Sequence, residues 1–150
     1  GDSRLNQQYR AILSFNTASL PENAVVTAVV LKIRVKSLSG GNPFVTHKPL
    51  TADICMPFFG SSPGLASSDF QAPASLNRAG NFRPVSNWGW YIATLASGSF
   101  QYVNLAGSTQ FRLRFALDDD NDALADLGTF ISGEAAARLR PVLIVKYTIP

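Results

Sequence analysis

Val29-Val30-Leu31-Lys32-Ile33-Arg34-Val35-Lys36 is the stretch whose reading decides the fold. Val29, Leu31, Ile33 and Val35 alternate with Val30 and three basic residues, the period-two pattern of a strand with one face buried. The same phase recurs three more times. Tyr9, Ala11, Leu13 and Phe15 alternate with Arg10, Ile12, Ser14 and Asn16. Phe111, Leu113, Phe115 and Leu117 alternate with Arg112, Arg114 and Ala116. Leu143, Val145, Tyr147 and Ile149 are interleaved with Ile144, Lys146 and Thr148, behind a Pro141 that suits the first residue of a strand. Weaker strands are predicted over 50–56, 91–95, 102–105 and 128–132.

Turn chemistry separates these segments. Leu20-Pro21-Glu22-Asn23 divides two of the strong strands, and Ser39-Gly40-Gly41-Asn42-Pro43 ends another. Residues 57–90 are rich in Gly, Pro, Ser and Asn, and also hold Phe58, Phe59, Phe70 and Phe82. They read as a long, partly packed excursion with a short helical turn near Ser67–Phe70. Another helical turn is predicted over 132–138. Many short strands and little helix predict an all-β fold, a mainly antiparallel β-sandwich or jelly roll. The 150 residues show no internal repeat or linker, so one module over 1–150 is expected, excised from a larger secreted chain.

Composition narrows the function classes. The chain is 46% apolar and only 15% charged, which marks it as globular rather than disordered. Ser, Thr, Asn, Gln and Gly supply its polarity, a composition that suits strands and turns outside the cell. A net charge of +3 is below what a dedicated nucleic-acid binder carries. No run of apolar residues is long enough for a membrane-spanning helix. The single Cys55 cannot form an internal disulfide and reads as a half-buried thiol.

Two regions of the chain form a recognisable pattern when taken together. The first comprises Tyr9-Arg10-Ala11-Ile12-Leu13-Ser14-Phe15, then Leu20-Pro21, then Thr27-Ala28-Val29-Val30-Leu31-Lys32-Ile33. The second comprises Thr109 to Phe115, Phe130-Ile131-Ser132-Gly133-Glu134, and Arg140-Pro141-Val142-Leu143-Ile144-Val145. With these the chain resembles the DNRLRE-type domains, extracellular β-sandwich modules related to carbohydrate-binding families. The resemblance implies a non-catalytic module of secreted or surface proteins, some of whose relatives bind anionic polysaccharides. It also implies a further strand before Tyr9, which this chain lacks. Either that strand has been cleaved or omitted, or a neighbouring chain supplies one, because an open edge invites strand addition.

Three groups of residues could carry chemistry. Five of the ten carboxylates lie in one loop, Asp118-Asp119-Asp120-Asn121-Asp122 followed by Asp126. The alternate spacing of Asp118, Asp120 and Asp122, with Asp126, suits a structural Ca²⁺. Ala123 and Thr129 stand where an EF-hand has Gly and Glu, so it is not that motif. The competing reading is a solvated turn whose Asp side chains cap backbone amides or pair with Arg138 and Arg140.

The second group is basic. Arg10, Lys32, Arg34, Lys36, Arg112, Arg114 and Lys146 share the polar phase of the strong strands. On one sheet they would form a cationic face for uronic-acid or sulfated glycans, with Lys32, Arg34, Arg112 and Arg114 as the contacts; otherwise they are an ordinary solvated surface. In Trp88-Gly89-Trp90-Tyr91, Trp90 and Tyr91 read as core and Trp88 as an exposed ring for sugar stacking.

Catalysis lacks a constellation. His47 is the single histidine, reads as a surface loop residue, and has no nucleophile motif beside it. The expected function is a non-catalytic module at the cell surface, binding acidic polysaccharide or mediating adhesion. The alternative is a structural subunit or repeat of an extracellular fibre, held to neighbouring chains by strand complementation. No nucleic-acid partner is expected.

Overall fold

The computed structural model describes residues 1–85 and 89–150, and over these the chain is an all-β sandwich. One sheet runs β1 (Ala11–Asn16), β7 (Ser108–Phe115), β3 (Leu50–Cys55), β4 (Leu76–Asn81). The other runs β5 (Arg83–Pro84), β6 (Trp90–Thr94), β2 (Val25–Gly40), β8 (Asp126–Phe130). The last strand, β9 (Val142–Thr148), also pairs with β2. Every pairing is antiparallel.

The opening stretch lies within β2, which spans 16 residues and is the spine of the second sheet. Its first half pairs with β9 and its second with β8, and its register shifts between Val26 and Ala28 and again between Val35 and Ser37. Such shifts bend a strand and change its partner without breaking it. Val29, Leu31 and Ile33 are fully buried against Leu50, Ala52, Ile54, Phe111, Leu113 and Phe115 of the first sheet, with β6's Ala93 in the same core. The four strong period-two segments all form strands.

Other segments depart from expectation. Tyr102 ends a 3₁₀ turn, Ser97–Tyr102, and residues 103–105 leave it without forming the expected strand. The Asn104 amide donates to Thr109 Oγ1 and its side chain to the Ser108 carbonyl, curling the chain into β7. Residues 132–138 make isolated turns rather than a helix. The Ser67–Phe70 turn forms as 3₁₀. A four-residue helix, α1 (Pro43–Thr46), begins where only a turn was expected; Asn42 caps it and Pro43 presets its first φ. Within the excursion, β4 and β5 escape prediction because Asn77, Gly80, Asn81 and Pro84 have little strand propensity.

The chain start does not extend the first sheet. Asp2 bridges Gln8 and Asp126, with backbone bonds running both ways between Asp2 and Asp126. Residues 1–9 therefore fold back onto the start of β8. Among the described residues, β1 has one strand neighbour, β7.

Candidate functional site

The basic residues of the strong strands do not form one face. Arg112 and Arg114 belong to β7 in the first sheet, whereas Lys32, Arg34 and Lys36 belong to β2 in the second. The outer surfaces of two sheets packed core to core point in opposite directions. The expected single cationic face is thus divided.

On the first sheet the outer surface is covered, because the excursion folds over it. Cys55, Phe59 and Ala72 form a small second core there, with Ile12 packed against it. Gln110 accepts a hydrogen bond from the Phe59 amide (2.9 Å) and donates to the Pro63 carbonyl (3.0 Å). Arg112, only 4% exposed, gives Nη1 to the carbonyls of Asp69, Phe70 and Ala72, and Nε and Nη2 to Asp53 Oδ2. Arg114 Nε reaches the same oxygen at 2.8 Å, and the Arg78 amide donates to Asp53 Oδ1. Burial alone would raise the Asp53 pKa, but the hydrogen bonds from Arg114, the Arg78 amide and Arg112 outweigh it. The carboxyl is held below its usual range. Two of the four basic residues expected to contact glycan are therefore tied to Asp53, Arg112 from inside the protein and Arg114 through Nε from a part-buried position.

The second sheet keeps its basic residues on an outer surface. In antiparallel pairs, residues directly opposite point to the same side. One row is Arg83, Ile92, Lys32, Val142, and the next sets Trp90 opposite Arg34. The Lys32 ammonium lies 5.4 Å from the Trp90 ring centroid, within cation–π range. Trp90 is half-buried on this face, while Tyr91 points inward and stacks on Phe44 at 4.4 Å between ring centroids. Reading both as core is thus corrected for Trp90, since neighbours on a strand face opposite ways. Trp88 lies outside the described residues. A groove of about 600 Å³ opens beside this row, lined by Arg78, Asn81, Arg83, Ile92 and Thr94. Arg78 and Arg83 are exposed and were missed in sequence because they fall in the excursion.

The acidic loop gathers some of its carboxylates and turns another away. Asp120, Asp122 and Asp126 bring carboxylate oxygens within 4.8 Å of one another. Asp118 instead meets Arg10 at 3.4 Å. Amide capping also occurs: Asp119, Asp120 and Asp122 each use Oδ1 to accept from the amides of Asn121, Asp122 and Leu124. Pairing with Arg138 or Arg140 is not found among the described residues.

Two residues join the loop that sequence reasoning did not place there. Asp2 and His47 have no exposed surface, and together with Asp120 they form a second group with ligand atoms within 4.8 Å. His47 is therefore not a surface loop residue. Its Nδ1 shares a 2.8 Å hydrogen bond with Thr46 Oγ1, and its Nε2 lies 3.3 Å from Asp2 Oδ1. Burial pushes the Asp2 carboxyl above its usual range; His47 opposes this, and Asp120 and Asp119 reinforce it. The available signal was positional: α1's cap sets His47, and the Gly40-Gly41 turn admits Asp126, whose Oδ1 lies 2.0 Å from where a Cβ on Gly41 would stand.

No family model, curated protein or solved structure matches this chain.

Proposed function

We propose that this is a non-catalytic extracellular module that binds acidic polysaccharide across the outer surface of the β2 sheet. The supporting observation is the pairing of an aromatic ring with cations: Lys32 over Trp90, Arg34 opposite Trp90, and Arg83 in the Lys32 row. In this reading Trp90 stacks on the apolar face of a sugar ring, and Arg83 and Arg78 grip carboxylate or sulfate groups along the groove. The resemblance to DNRLRE-type domains leads to the same ligand class.

Affinity electrophoresis through polygalacturonate, alginate and a sulfated glycan tests it, with neutral glucan as control. Retardation by an acidic polymer is expected, weakening with salt. Trp90→Ala, or Lys32→Ala with Arg83→Ala, should weaken binding about tenfold or more. Mobility unchanged in all the acidic gels, or unaffected by these substitutions, would refute the site.

A second reading, a subunit of a surface fibre joined by strand complementation, is favoured by one observation. β1, an edge strand, carries β7 on one side and no described strand on the other. A mass measurement at high concentration separates the readings: a monomer throughout argues against strand exchange.

A further inference from the structure

The groups that face one another at the chain start are poorly satisfied by the protein alone. Both carboxylate oxygens of Asp2, Nε2 of His47 and Oδ2 of Asp126 are buried and have no hydrogen-bond partner. Their side chains are 0%, 0% and 4% exposed. Two carboxylates shut away from water beside one another are costly unless a positive charge lies between them. A basic side chain beside them is His47, whose Nδ1 stands 3.8 Å from Asp126 Oδ2. Asp120 and Asp122 close the arrangement from the loop, each with Oδ1 on a backbone amide and Oδ2 available.

We propose that Asp2, Asp120, Asp122 and Asp126 form a binding site for a hard divalent cation of the calcium class, which fastens the first residues of the chain to the acidic loop. Four carboxylates against one imidazole favour an oxygen-seeking ion over zinc. His47 is a positioning residue: its ring is held by the bond between Nδ1 and Thr46 Oγ1, which sets Nε2 3.3 Å from Asp2 Oδ1 and so fixes where that carboxylate can stand. Asp118 is not a ligand, because it is turned to Arg10. The site is independent of the glycan-binding reading.

The test is calorimetric titration of chelator-stripped protein with Ca²⁺ at pH 8, paired with melting curves. One equivalent per chain is expected, with a melting-temperature rise of roughly 5–10 °C at saturation. Asp120→Asn and Asp2→Asn should abolish the rise, and Asp118→Asn should keep it. Asp2→Asn removes a buried charge, so it should melt no lower than the native chain in chelator, which separates a lost site from a lost fold. Several results would overturn the proposal: no Ca²⁺ uptake at 1 mM total metal (roughly the weak end of calcium sites), or a full response in Asp2→Asn. Uptake of Zn²⁺ with no Ca²⁺ binding would overturn the calcium assignment. Cation-independent melting that falls in His47→Gln would assign the neutralising charge to an imidazolium instead.

Discussion

Asp53 occupies a strand in which all six residues are buried, and its Oδ2 receives both Arg112 and Arg114. Removing the carboxylate strands a guanidinium that is itself inside the protein. Asp53→Ala is therefore expected to lower stability by about 3–5 kcal/mol in urea unfolding at pH 7. The linkage has a definite sign. A carboxyl held below its usual pKa contributes stability that is fully present above its unfolded value, about 4, and drains as pH falls through the folded value. Acid titration of the native fold should show that loss below about pH 4, and Asp53→Ala should lack this component. The phase of Arg112 was legible in sequence, since Phe111 and Leu113 point inward on either side of it. What lies over Arg112 was not, because the cover comes from residues more than 35 positions away. An Asp between Ala52 and Ile54 was the available hint that a cation is buried nearby.

At the scale of elements, residues 56–75 are held to the first sheet by a few polar ties and by Phe59, which is fully buried. Gln110→Ala removes the bonds to the Phe59 amide and the Pro63 carbonyl. Each is worth about 1 kcal/mol net, so global stability should fall by about 1–2 kcal/mol. Hydrogen exchange at the Phe59 amide should rise more than exchange in β2 or β7, because the cover can open without separating the sheets. Equal acceleration in the core strands would show that cover and sandwich open together. The strands themselves were readable wherever apolar residues alternate with polar ones. They were obscure in β4, whose Asn and Gly residues gain their strand conformation from pairing with β3.

For the whole molecule, one apolar cluster joins the two sheets. It includes Val29, Leu31 and Ile33 from β2 together with Leu50, Ile54 and Phe111 from the first sheet. Neither sheet can separate without exposing that shared surface, so unfolding should be a single cooperative transition. Tryptophan fluorescence and far-ultraviolet circular dichroism should give the same denaturation midpoint; two midpoints would divide the chain into independent units. The acidic loop shows the limit of local reading at this scale. Its carboxylates were visible in the sequence, but Asp2 and His47 reach them only because β8, α1 and the chain start meet in space.

The covering of one broad surface by residues 56–75 makes the molecule two-sided in character, with a loop-covered back and a front bearing Lys32, Arg83 and Trp90. If that front is the proposed binding surface, such a body would adhere in one orientation only. Copies linked in tandem would gain avidity only if their linkers let every front turn toward the same polymer. Linker length and twist would then set the strength of attachment as much as any contact on the surface itself.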